Sequence, residues 1–277
     1  MRYTFVLFFS LLISSFSQLI AQNIGQKSND TTIINYTDIQ GNKQGKWVRR
    51  YNAKNIAYEA YFKNNLLIGD YKKYYSSGIL MSYIKYNNNG SIGYAKLYWD
   101  NSKIMAEGKY IKQNVKDSLW KYYGTDGLLT AEDFYKEGIK DGVSKNYYPN
   151  GKPSQLLTFK AGKKDGLWRV YFDNGNTKYE TKHVSDKRDG PFNVFFDDGR
   201  VYLKGKYKND LPDGKWTIWG TDGKVTKELE YVNGKLVNEE KYNEELKKQM
   251  KEWEQMKGKI PEPKNSDFYN KGMRNVE

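Results

Sequence analysis

Apolar and polar residues alternate along most of this chain in short runs, each closed by a turn dipeptide. An aromatic-rich stretch leads into Asn-Gly or Asp-Gly, and a second alternating stretch follows. Alternation marks a half-buried strand, and a Gly-bearing dipeptide between two such runs is the strongest short-range hairpin signal. The dipeptides are Asp126-Gly127, Asn150-Gly151, Asn174-Gly175, Asp198-Gly199 and Asp222-Gly223. The pattern therefore predicts hairpin after hairpin.

The hairpins recur with a fixed period. Gly45, Gly69, Gly93, Ser118, Gly142, Gly166, Gly190 and Gly214 open successive units at intervals of 24, 24, 25, 24, 24, 24 and 24 residues. Two residues on stand Trp47, Tyr71, Ala95, Trp120, Ser144, Trp168, Phe192 and Trp216. Seventeen residues on stand Phe62, Tyr86, Tyr110, Tyr135, Phe159, His183, Tyr207 and Tyr231. Chance does not hold such a register over eight units. A two-residue turn at each dipeptide pairs Tyr75 with Leu80, Trp99 with Ile104 and Phe196 with Val201. A three-residue loop with a bulge shifts that pairing by one, and the residues alone leave both open. A second Gly-bearing turn is expected at Asp141-Gly142, Asp165-Gly166, Asp189-Gly190 and Asp213-Gly214. A lone hairpin cannot bury a face, so the units must stack. At ~4.8 Å per strand, sixteen strands make an array about 75 Å long.

The run Asp165-Gly166-Leu167-Trp168-Arg169-Val170-Tyr171-Phe172-Asp173-Asn174-Gly175, with Tyr-Lys-x-Gly-x-x-Asp-Gly elsewhere, resembles the MORN repeat in its bacterial variant form. The resemblance covers residues 45–238. It implies an all-β fold: an elongated antiparallel sheet of about eight stacked β-hairpin repeats. It also implies tethering, protein partners and, for some members, anionic lipids, while some bacterial relatives are antitoxin-like. It brings no catalytic motif. Lys54 and Ser102 depart by standing where the turn Gly belongs, and Arg50 departs by replacing an aromatic.

The ends read differently. Residues 1–21 carry Arg2, an apolar core from Phe5 to Ile13, polar residues and Ala21 before Gln22, the pattern of a signal peptide. That core is shorter than the roughly 20 residues a membrane span needs, so no transmembrane helix is expected after cleavage. Residues 22–44 read as a lead-in linker. In residues 239–277, Tyr242, Leu246, Met250 and Trp253 follow helical spacing, and Pro261 and Pro263 end the helix. An α-helix capping the open edge of the last hairpin is expected, and partner binding is its other reading.

Composition narrows the chemistry. Among 277 residues there are 25 Tyr and 7 Trp but one His and no Cys. Thiol nucleophiles, disulfides and Cys- or paired-His zinc sites are excluded. His183 occupies a column that is otherwise Phe or Tyr, so it reads as a repeat aromatic that drifted. The Asp-Gly pairs lack the 12-residue frame of a calcium loop. No enzyme, metal site or cofactor is expected.

Lys and Arg number 46 against 33 Asp and Glu, a net charge of +13. Residues 239–277 hold nine basic and nine acidic side chains, so the excess belongs to the repeats and their lead-in. Lys72, Lys96, Lys121, Lys145 and Arg169 recur three residues into consecutive units. They share a face with Tyr74, Tyr98, Tyr123, Tyr147 and Tyr171. A basic row beside rings suits an anionic envelope polymer or lipid, or a protein. A nucleic acid fits an exported chain less well. Glu107, Glu132 and Glu180 are expected to face Lys96, Lys121 and Arg169, leaving Lys72 and Lys145 uncompensated opposite Tyr83 and Leu156. The resulting expectation is a periplasmic or extracellular, non-enzymatic scaffold binding a protein or anionic partner. An antitoxin- or immunity-like protein that neutralises one partner is the alternative.

Overall fold

The structure, a computed structural model, describes residues 26–27 and 33–256. The signal segment 1–21 and the tail from 257, with Pro261 and Pro263, lie outside the described residues.

Eight hairpins run in chain order. They pair Lys43–Arg50 with Ile56–Lys63, Leu66–Tyr74 with Leu80–Tyr86, and Ile92–Tyr98 with Ile104–Ile111. Val115–Tyr123 with Leu129–Lys136 and Gly142–Tyr147 with Pro153–Lys160 are the fourth and fifth. Lys163–Tyr171 with Thr177–Val184, Lys187–Phe195 with Val201–Lys208, and Gly214–Trp219 with Val225–Val232 complete the set. Each strand pairs antiparallel with its sequence neighbours, giving one long open sheet. Tyr36–Thr37 edges it at one end and Lys235–Leu236 at the other, and among the described residues no pairing joins those ends. Part of the expected linker is thus sheet: Asn35 donates its amide to Lys46 O at 2.9 Å and accepts from Val48 N at 2.8 Å. An 18-residue helix, Glu239–Met256, follows the last unit; Met250 of its apolar stripe is 54 % exposed.

The structure decides the first turn and corrects the second. The amide of Gly175 donates to Phe172 O at 3.0 Å and that of Phe172 to Asn176 O at 2.8 Å, so the loop has three residues ending in a left-handed glycine. This type I turn with a bulge follows the twist of the strands. The facing pairs shift by one to Tyr74–Leu80, Tyr98–Ile104 and Phe195–Val201; Tyr75–Leu80, Trp99–Ile104 and Phe196–Val201 do not form. Aromatics freed at that position reach the next unit instead, as Tyr148 Oη does in donating to Tyr171 O at 2.7 Å.

The second turn is not at the Asp-Gly pairs. It lies at dipeptides with two positive φ angles, such as Asn64 (50°) and Asn65 (66°) or Ala161 (49°) and Gly162 (82°), the type I′ signature. Asp165-Gly166 is instead a bulge, where pairing shifts between Leu157↔Trp168 and Phe159↔Lys164. The recurrent Asp has its own task. Asp141, Asp165 and Asp189 accept the amides of Ala161, Ser185 and Asn209 in the next unit's turn, at 3.1, 3.3 and 3.2 Å.

At the Asn-Gly turns, Gly175 has φ 98° and a Cβ there would meet nothing closer than Lys152 Cδ at 3.7 Å. The cost of a side chain is therefore conformational. Gly175→Val should lose about 1–2 kcal/mol of stability, read as a lowered thermal midpoint beside an exposed Lys160→Ala control. Equal midpoints would contradict the turn.

One sheet face carries the core. Trp120 is fully buried among Ile84, Tyr86, Ala95 and Ala106. Its ring is 4.7 Å from Tyr110, and a Cβ at Gly108 would lie 2.4 Å from it, so the indole sits flat on the glycine. Lys43, Lys116, Lys140, Lys164 and Arg188 roof the stripe, with Lys116 Nζ 4.7 Å from the Trp120 ring centre and Arg188 Cζ 3.9 Å from Tyr207. Such cation–π contacts contribute roughly 0.5–1 kcal/mol each at exposed sites. A single-layer sheet thereby shields its rings with its own lysine stems.

Candidate functional site

The opposite face holds the residues singled out by charge. Register places Glu59, Lys72, Tyr83, Lys96, Glu107, Lys121, Glu132, Lys145, Leu156, Arg169 and Glu180 side by side across consecutive strands. The expected basic row is thus interleaved with carboxylates: each cation has one on at least one neighbouring strand, and Lys121 has one on both. Lys72 is not uncompensated: its Nζ lies 3.7 Å from Glu59, a residue of the preceding unit. Lys145 faces Leu156 as expected but has Glu132 on its other side. Arg169 is paired with Glu180 at 2.6 Å. Among the described residues Lys96, Lys121 and Lys145 make no ion pair.

The tyrosines divide likewise. Tyr74, Tyr123 and Tyr147 donate to Glu59, Glu107 and Glu132, each at 2.7 Å. Partial burial, and then those carboxylates, push each phenol up to about 12. They act as fixed struts. Through their carbonyls, Tyr98 and Tyr171 accept the hydroxyls of Tyr75 and Tyr148, at 2.8 and 2.7 Å.

Three of the ten expected residues converge with others in one place. A groove of about 940 Å³ crosses units two to four, lined by Tyr83, Lys85, Tyr94, Lys96, Tyr98, Glu107, Lys109, Leu119 and Lys121 together with Ala95, Gly108 and Ser118. Lys72, Tyr74, Tyr123, Lys145, Tyr147, Arg169 and Tyr171 lie outside it. Tyr94 is 66 % exposed, and Leu119 and the neighbouring Phe134 are open to solvent. Lys109 is held by Asp117 at 2.7 Å and Tyr83 by Asp70 at 2.8 Å, which leaves Lys85, Lys96 and Lys121 as the groove's cations without an ion pair among the described residues. The missed residues had a signal. One residue into consecutive units stand Tyr94, Leu119, Val143, Leu167 and Pro191, an apolar column on the face that also bears the basic row. The 25-residue interval before Ser118 falls in the groove; Ser118 takes φ 61° there in place of a glycine.

His183 is 3 % exposed, with its ring 5.4 Å from Trp168 and its Nδ1 unpartnered. Burial first, then the charge of Lys164, holds its pKa below the ordinary value. Folding therefore favours the neutral ring. That stability is present above the unfolded pKa of about 6.5 and is lost as pH falls toward the folded value. His183→Phe should abolish this acid-side loss and raise the thermal midpoint most at low pH. An unchanged dependence of the midpoint on pH would contradict it.

Among the described residues no three acidic or histidine side chains converge on a possible metal position, and no helix is long and apolar enough to cross a membrane. Stacked hairpins, a self-packed ring face and an open groove define a β-hairpin repeat scaffold. The family model described as the MORN repeat variant matches residues 67–88, 140–161, 164–184 and 212–233. Those four segments are MORN-variant repeats. Comparison with curated proteins finds no match. Among solved structures, a TarM mutant from S. aureus in complex with Fondaparinux, alpha-GlcNAc-glycerol and UDP is 16% identical, covering 55% of this chain and 27% of that one, with a TM-score of 0.27. A further crystal structure of TarM gives 17% identity, 54% and 27% coverage and a TM-score of 0.26. The chain thus spans about a quarter of TarM's length, and scores of this size carry no structural argument.

Proposed function

We propose that this chain is an exported, non-enzymatic scaffold that docks a protein partner in the groove of units two to four. The carrying observation is the contrast between the faces. Rings on one face are buried against each other, whereas Tyr94 and Leu119 on the other stay open, with half-buried Tyr98 lining the same groove beside unpaired Lys96 and Lys121. Exposed tyrosine and apolar surface rimmed by lysine suits a protein surface with an acidic border. Alternating Glu and Lys across the rest of that face favours this over a long anionic polymer, which would meet four carboxylates among five cations. The segment 1–21 supports export to the periplasm or cell exterior. A lone imidazole engaged in packing supports a role without catalysis or cofactor.

Capture of envelope proteins on the immobilised chain, at low and high salt, tests the reading. Lys96→Glu with Lys121→Glu should weaken capture at least tenfold. Lys72→Glu with Lys145→Glu should weaken it less, because neither residue lines the groove. High salt should weaken capture by the native chain. Salt-independent capture that ignores the groove pair would contradict the reading, and retention of anionic lipid alone would transfer the role to a membrane surface.

A further inference from the structure

Unit five interrupts the ring stripe on the face opposite the groove. Two residues into the unit, where six others carry Trp, Tyr or Phe and one carries Ala95, stands Ser144. Ala95 leaves no comparable gap, since it is itself buried between Ile84 and Tyr86. Below Ser144 the missing indole leaves a cavity of about 180 Å³. Its polar lining departs from the repeat too. Asp133 occupies a column held elsewhere by Ala, Ile, Gly, Leu or Thr, and Asn146 and Gln155 form the one cross-strand amide pair in their columns.

The free hydrogen-bonding capacity is defined by what is already used. Asp133, 8 % exposed, accepts from Lys140 Nζ at 2.8 Å and from Ser144 Oγ at 2.5 Å. Its charge is therefore balanced, and Ser144 keeps its acceptor lone pairs. Asn146 Nδ2 donates to Gln155 Oε1 at 3.3 Å, which leaves Asn146 Oδ1 as an acceptor and Gln155 Nε2 as a donor. Lys140 retains further N–H donors and sits 5.3 Å from the Phe159 ring centre. Leu157 and Phe159 supply an apolar wall.

We propose that this cavity binds one pyranose ring of a sugar. A charged ligand would find no surplus counter-charge, and a wholly apolar one would leave the amides unpaired, at a cost. Hydroxyl groups both donate and accept, matching the mixed set from Ser144, Asn146, Gln155 and Lys140. The C–H face of a pyranose suits the wall at Phe159. Size allows one ring: a cavity of about 150 Å³ holds benzene, and the exposed side at Asn146 leaves room for ring substituents to extend into solvent.

Saturation-transfer NMR on the full chain tests the proposal, with the methyl pyranosides of glucose, galactose, mannose and N-acetylglucosamine as probes. Inorganic phosphate and benzyl alcohol serve as charged and apolar controls. At least one pyranoside should bind, with the strongest transfer to ring C–H protons. Ser144→Trp restores the repeat's ring in the gap and should weaken that binding at least tenfold. Gln155→Leu, which leaves the wall intact, should do the same and gives the readout should Ser144→Trp fail to fold. No binding by any pyranoside, binding of the controls alone, or equal binding by Gln155→Leu would overturn the assignment.

Discussion

Trp120→Ala is expected to destabilise the sheet by about 3–5 kcal/mol, the usual range for removing a fully buried large aromatic. No other described side chain of that size is as fully enclosed. Its indole nitrogen donates to Lys109 O at 3.0 Å, its ring meets Tyr110 and Tyr122, and Lys116 lies over it. Truncation therefore removes packing, a hydrogen bond and a cation–π contact together. It also leaves the partly buried Lys109 carbonyl without its side-chain donor. In a stacked array each unit leans on its neighbours, so the loss should reach units three to five and broaden the unfolding transition. Chemical denaturation followed by tryptophan fluorescence reads the effect. A change below about 0.5 kcal/mol, the level of an ordinary surface substitution, would mean that the ring stripe is not what holds the layer together.

Gly108→Ala should cost about 1–3 kcal/mol through overpacking, although alanine ordinarily suits a strand better than glycine. The added methyl would stand 2.4 Å from Trp120 Cδ2, a separation the ring cannot hold without leaving its place. A Cβ added at Gly205 would likewise run into the Trp216 ring, so the arrangement recurs. A double-mutant cycle separates the cause. Gly108→Ala combined with Trp120→Ala should be clearly less destabilising than the sum, because the methyl no longer has a ring to displace. Additive costs would point instead to backbone strain at Gly108.

The sequence makes the hairpin period legible because its turns demand particular residues: only Gly, Asn or Asp fills positions with φ > 0 cheaply. Pairing within the body of each hairpin followed from that, as Lys121↔Glu132 and Arg169↔Glu180 attest. Two bulges were hidden. A two-residue turn and a three-residue loop fit the same Asn-Gly letters, and an Asp-Gly bulge reads like an Asp-Gly turn. The second error propagated. Register between units depends on that bulge, so the letters alone do not place Glu59 beside Lys72, and the basic row is more compensated than its columns suggest. Lys96, Lys121 and Tyr98 were found through their columns. Tyr94 and Leu119 were not, because their column changes side chain from unit to unit through Val143, Leu167 and Pro191, and Lys85 shares a column with residues as different as Lys109 and Phe134, so residue type alone does not single them out.

The account stands most directly on which sheet face meets the partner. A photo-crosslinking side chain placed at Leu119, on the grooved face, can be compared with the same group at Lys73, exposed on the ring face, in chain produced by the native cell. We expect a protein adduct from Leu119 that high salt diminishes, and none from Lys73. An adduct of equal yield from Lys73, or none from Leu119, would contradict docking in the groove.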